Sequence, residues 1–170
     1  NVASSVTEIS TRAFYGCNKL KTVTIAGSNR LSEIGAYAFY NCTSLATVKY
    51  TYYIQNIGAY AFYNCRSLES IIIPDSVVNL GESVFEECTG LKRAILSNGL
   101  TIISHYLFYR CKSLENVSLP NSIVNVGQGS FNGCSALKSV NLPETISEID
   151  INAFSGCSSL ESIVIPDGMV

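Results

Sequence analysis

The sequence predicts a solenoid: about seven stacked coils of mixed α/β class, with short parallel strands on one concave face and short helical turns or extended segments on the others. Three observations predict it. Phe-x-x-Cys occurs at Phe14/Cys17, Phe39/Cys42, Phe62/Cys65, Phe85/Cys88, Phe108/Cys111, Phe131/Cys134 and Phe154/Cys157, first 25 residues apart and then every 23. Every Phe and every Cys of the chain lies in this motif, and Pro74, Pro120, Pro143 and Pro166 share one register. The apolar positions keep the same period, and no single unit can bury its apolar face without neighbours. Below, coils one to seven are numbered by their Phe, from Phe14 to Phe154.

Each unit reads AFxxCxxLxxVxLPxxLxxIGxx. Leu follows six residues after each Phe: Leu20, Leu45, Leu68, Leu91, Leu114, Leu137 and Leu160. Three further on come Val23, Val48, Ile71, Ala94, Val117, Val140 and Ile163, then Ile25, Tyr50, Ile73, Leu96, Leu119, Leu142 and Ile165. This LxxVxL segment has a period-two end and branched residues, which predicts a short strand. The proline after it lacks a donor and closes the strand.

The return LxxIG carries Ile34, Ile57, Leu80, Ile103, Val126 and Ile149, followed by Gly35, Gly58, Gly81 or Gly127, which predicts a turn. AFxx holds good helix formers and predicts one or two helical turns. The two extra residues of the first interval fall around Gly27 to Arg30, where a loop absorbs them. Strands stacked at about 4.8 Å give a curved rod of roughly 30 to 35 Å.

This pattern resembles the leucine-rich repeats. The 23-residue unit, the AFxxC phrase and the LPxxLxxIG return are similar to the BspA-like, or Treponema pallidum-type, class. Coil four departs with "AILSNGLTIIS", which lacks the Pro and the Gly but keeps the spacing. The resemblance implies a right-handed leucine-rich-repeat solenoid, one repeat domain over residues 1–170, extracellular or on the cell surface of a bacterium or protozoan parasite, and a part in adhesion. The protein-like ends "NVASSVTEIS" and "IPDGMV" carry no atypical polar cap. That predicts either flanking sequence in a longer protein or end-to-end self-association.

Composition removes several classes. A net charge of -2 gives no footprint for nucleic acid, and no apolar run approaches the roughly 18 residues of a membrane span, so no direct membrane insertion is expected. No metal or cofactor site is expected: the cysteines lack C-x2-C spacing and the one histidine, His105, occurs in a single coil. No nucleophile-base pair or carboxylate pair points to an enzyme. The cysteines Cys17, Cys42, Cys65, Cys88, Cys111, Cys134 and Cys157 form a structural ladder. Each is expected to fill a fixed hole as a small hydrophobe. Seven is odd, and parallel Cβ vectors about 5 Å apart strain a bridge between neighbouring coils.

The outward strand positions divide into a ladder and a patch. Glu69, Lys92, Glu115, Lys138 and Glu161 alternate in sign from coil to coil, which predicts exposed ion pairs fixing register. At the third variable position lie Lys49, Ile72 and Ile95, the two isoleucines adjacent and exposed. Tyr37, Tyr40, Tyr60 and Tyr63 cluster beside the motif Phe, and Tyr52 and Tyr53 lie in a return loop. These nine residues are the candidate partner-binding set, since amphipathic aromatics and exposed apolar groups are favoured at interfaces. The same tyrosines equally serve to cover one another's apolar edges. The expected partner is a protein or glycan at a cell surface; the competing expectation is a spacer with no ligand of its own. Asn41-Cys42-Thr43 and Asn116-Val117-Ser118 fit the glycosylation sequon but arise within the repeat.

Overall fold

The structure, a computed structural model, describes residues 5–25, 30–49 and 52–167. Most of the loop around Gly27 to Arg30 and Tyr50 lie outside the described residues. Among the described residues fourteen short strands alternate between two faces. The first face holds the LxxVxL strands β2 (Thr22–Thr24), β4 (Thr47–Lys49), β6 (Ser70–Ile72), β8 (Arg93–Ile95), β10 (Asn116–Ser118), β12 (Ser139–Asn141) and β14 (Ser162–Val164). The second holds the return strands β1 (Glu8–Ile9), β3 (Glu33–Ile34), β5 (Asn56–Ile57), β7 (Asn79–Leu80), β9 (Ile102–Ile103), β11 (Asn125–Val126) and β13 (Glu148–Ile149).

Every pairing is parallel and joins equivalent residues of neighbouring coils: Ile9 faces Ile34, Ile34 faces Ile57, and Ile71 faces Ala94. A one-residue slip would turn each inward residue to solvent, so the apolar period sets the register. The interior is one continuous cluster from Ile9 to Ala153.

The AFxxC segments differ from the helical turns expected of them. Among the described residues there is no helix, so the fold is a parallel-strand β-solenoid of about seven turns. Within a coil, only short turn bonds form, as from Ala38 N–H to Gly35 C=O and Cys42 N–H to Phe39 C=O. The intervening N–H groups point at the next coil instead. Tyr37, Phe39 and Asn41 donate to the carbonyls of Ala59, Ala61 and Tyr63 at 2.9, 2.8 and 2.9 Å.

The physical reason is backbone handedness. The residues two before and two after each motif Phe have positive φ: Tyr37 and Asn41, Tyr60 and Asn64, Gly129 and Gly133. A left-handed residue on each side breaks any helical run. It turns alternate N–H groups across to the neighbour, and helix propensity gives way to a third ladder.

Coil four shows how the unit tolerates exceptions. Ser97 stands where Pro74 and Pro120 stand, fully buried; its hydroxyl donates to Val77 C=O at 2.6 Å and accepts from Gly99 N–H at 2.9 Å. Ser104 replaces the turn glycine of the same coil and donates to Leu80 C=O. At the glycine positions the coils nearly touch. A Cβ on Gly81 would lie 2.4 Å from Ala59 N.

Candidate functional site

Three surfaces matter, and the thiols lie behind one of them. From coil two onward each thiol donates to the Phe carbonyl of the preceding coil: Cys42 to Phe14 at 3.1 Å, Cys65 to Phe39 at 3.4 Å, Cys88 to Phe62 at 3.1 Å, Cys111 to Phe85 at 3.0 Å, Cys134 to Phe108 and Cys157 to Phe131 at 3.1 Å. That carbonyl already accepts its own coil's Cys N–H, as Phe14 does from Cys17, so the sulfur engages a second lone pair that burial would leave empty. Cys is therefore more than a filler: it combines methyl-like size with a weak donor.

All seven thiols are free. Cys42, Cys65, Cys88, Cys111 and Cys134 are buried, whereas Cys157 is partly covered and Cys17 exposed. For Cys17 no earlier Phe carbonyl exists among the described residues. Burial, the dominant cause, pushes the Cys42 and Cys157 thiols up to about 11 and Cys88 up to about 12. Cys65, Cys111 and Cys134 move the same way. Such thiols are poor nucleophiles.

Outside this column lies the turn face. The Phe rings stack from Phe14 to Phe154 with centroids 5.1 to 5.8 Å apart. Tyr15, Tyr40 and Tyr63 form a second stack at 4.8 and 4.5 Å, and Tyr37 and Tyr60 a third at 5.0 Å. The last two stacks touch at a tilt, Tyr37 to Tyr40 at 5.7 Å and Tyr60 to Tyr63 at 6.0 Å.

The structure thus brings together Tyr37, Tyr40, Tyr60 and Tyr63. Each ring lies against its neighbours' faces, all four are partly buried, and the Tyr40 and Tyr63 hydroxyls engage each other. Arg12 sits 5.3 Å over Tyr37, covering the other side of that ring. In coil four Ser83 and Glu86 take the two tyrosine positions and end the stacks. Burial raises the Glu86 carboxyl, and burial likewise raises the Tyr40 and Tyr63 phenols.

The first strand face differs. Lys49, Tyr52 and Ile72 line one open groove of about 350 Å³ with Ala46, Thr47, Val48, Ser70 and Pro74. Tyr52 is 88% exposed and Ile72 63% exposed. Ile95 pairs in register with Ile72 and is also exposed. Tyr53 is exposed beside Tyr52 but is not among the groove-lining residues. The charge ladder on this face is sparse. Glu69 and Lys92 pair at 3.3 Å, and among the described residues neither Glu115, Lys138 nor Glu161 forms an ion pair. Long exposed side chains gain too little from pairing to be held.

The second strand face carries exposed apolar side chains that the sequence did not single out: Val78, Ile102 and Val124. Their signal was available in the outward positions of LxxIG, where other coils have Ser32, Glu33 and Asn56. His105 lies at the edge of this face, its Nδ1 accepting Gln128 N–H at 2.9 Å. Among the described residues no three His, Cys, Asp or Glu side chains are grouped to hold a metal ion. Asn41, in one sequon, is partly buried and accepts from the Asn64 amide at 2.7 Å.

Short parallel strands, inward Leu/Val/Ile columns and a turn ladder define a leucine-rich-repeat β-solenoid. The chain belongs to the BspA-type leucine-rich repeat family: the model of that repeat region, in six copies, matches residues 1–71 and 55–170. It is similar to a leucine-rich repeat protein from Bacteroides ovatus (34% identity, TM-score 0.90), covering 96% of this chain and 42% of that one. It is also similar to the T. pallidum leucine-rich repeat protein (36% identity, TM-score 0.85), covering 91% and 72%. A leucine-rich repeat protein from Eubacterium ventriosum matches at 26% identity and TM-score 0.80, covering 88% and 40%. The chain thus spans less than half the length of two of these proteins. No curated protein matches it.

Proposed function

We propose that this chain is a non-catalytic, protein-binding module of a cell-surface or secreted protein, acting in adhesion, and that it docks its partner on the first strand face. The observation that carries this is the convergence of Lys49, Tyr52 and Ile72 on one groove, extended by Ile95 in register. An apolar centre with an aromatic anchor and a cation at its edge is the composition of an energetic interface core. The surface is held by strands on a continuous core, so little ordering accompanies binding. The leucine-rich-repeat fold supports a protein partner. The family resemblance supports the extracellular location.

The experiment compares adhesion of Tyr52→Ser/Ile72→Asn with that of Tyr40→Ser/Tyr63→Ser, both checked for folding. Loss in the first alone is expected. A spacer role is the second possibility, favoured by the way the turn-face rings occupy one another. Unchanged adhesion in both folded variants would establish it instead.

A further inference from the structure

We propose that the second strand face is a separate docking surface for a basic protein segment with an apolar centre. Val78 just before β7, Ile102 at the start of β9 and Val124 just before β11 are 53, 51 and 41% exposed. They fall in three consecutive coils, one apolar side chain per coil, about 4.8 Å apart along the axis. Two grooves meet there. One, of about 350 Å³, runs from Glu33 and Asn56 past Val78 to Ile102 and Ser104. The other, of about 280 Å³, continues from Ile102 and Ser104 to Glu82, His105 and Asn125.

Charge selects the occupant. The carboxylates lining these grooves are Glu33 and Glu82, with no Lys or Arg among the lining residues. Among the described residues neither carboxylate forms an ion pair. His105 also lines the second groove, its Nδ1 accepting the Gln128 N–H. Further along the same face Glu8, Glu148 and Asp150 add negative charge, against Arg30 alone among the described residues. The first face, by contrast, mixes Lys49, Lys92 and Arg93 with Glu69 and Glu115.

A partner that buries Ile102 must therefore bring cations to Glu33 and Glu82 or leave those carboxylates desolvated and unpaired. A second copy meeting face to face would set acids against acids. From the coil of Glu33 to that of Asn125 is four coil steps, about 19 Å, which matches about six residues of extended chain.

The test is titration of the isotopically labelled protein with three synthetic peptides: Arg-Lys-Leu-Val-Leu-Lys-Arg, its acidic counterpart Glu-Glu-Leu-Val-Leu-Glu-Glu, and the apolar-free Arg-Lys-Ser-Thr-Ser-Lys-Arg. The first should bind saturably, at least about tenfold tighter than either control, with amide shifts confined to residues around Glu33, Val78, Ile102 and Asn125. Ile102→Asn and the double variant Glu33→Gln/Glu82→Gln should each weaken it about tenfold. Ile102→Thr, which keeps the branched strand residue, is the second variant should Ile102→Asn unfold, and the same loss is expected. Tyr52→Ser/Ile72→Asn should bind the peptide unchanged, which separates this surface from the groove on the first face. Equal affinity for all three peptides, shifts elsewhere, undiminished binding by folded Ile102 variants, or self-association through this face would overturn the proposal.

Discussion

The turn face and the first strand face carry similar residues to opposite ends. On the turn face, Tyr15, Tyr40 and Tyr63 lie ring on ring, and Tyr37 and Tyr60 close the gap beside them. On the strand face, Tyr52, Ile72 and Ile95 extend into water with no aromatic stacked on them among the described residues. Both sets recur at coil spacing, and both are amphipathic or apolar. What separates them is whether the neighbouring coil supplies a matching side chain. A tyrosine repeated in adjacent coils is consumed by its own copy; one that appears once, as Tyr52 does, is left for something else.

Perturbing the interior behind the turn face should have the largest effect. Phe85 is fully buried between Phe62 and Phe108, so Phe85→Ala should cost about 3 to 5 kcal/mol in urea unfolding. Phe14 is 38% exposed with one stacked neighbour, and Phe14→Ala should cost clearly less. Equal losses would mean that the stack does not distinguish middle from end.

Alkali probes the same interior. Thiols raised by burial keep their protons folded while the unfolded chain begins to lose them near 9. Their contribution is complete below that pH and is lost as pH rises toward about 11 for Cys42 and Cys157 and about 12 for Cys88. Stability should therefore fall above pH 9 by up to about 1.4 kcal/mol per pH unit for each such thiol, and Cys88→Ala should flatten the slope by one thiol's share. A flat profile between pH 9 and 11 would contradict the buried, hydrogen-bonded assignment.

A smaller change sharpens the picture by improving the protein. Ser130 is fully buried and its hydroxyl has no hydrogen-bond partner among the described residues, at a position that is Ala38, Ala61 or Ala153 in other coils. Ser130→Ala should stabilise by about 1 kcal/mol, read as a raised unfolding midpoint. On the strand face Lys92→Gln, which removes the Glu69 pair, should cost at most about 0.2 to 1 kcal/mol, and added salt should erase the difference.

Much of this was legible in the sequence because one period writes every inward position. Leu45, Val48 and Ile57 announce their columns by spacing alone, and the strands fall on those positions. The family signature was equally open, since AFxxC and LPxxLxxIG are themselves the packing unit. The helical turn expected at AFxx failed because propensity counts Ala and Phe as helix formers and ignores the cross-coil ladder. Asn41, Asn64, Gly16 and Gly133 two residues past the Phe were the available clue, since Asn and Gly accept positive φ. The thiol-to-carbonyl bonds span 26 residues, 28 for Cys42, and follow from no local pattern. Lys49, Tyr52 and Ile72 were each singled out, but their meeting in one groove depends on the return loop, where the repeat is least regular.

Urea unfolding of Tyr40→Ser/Tyr63→Ser beside Tyr52→Ser/Ile72→Asn tests the division most directly, without any partner in hand. The turn-face pair should lower the midpoint distinctly, because the Tyr15–Tyr40–Tyr63 stack loses its middle and last rings and Tyr37 and Tyr60 lose their tilted partners. The strand-face pair should leave it near that of the parent chain. A strand-face variant that unfolds as early as the turn-face one would contradict the claim that Tyr52 and Ile72 are free of the fold and available to bind.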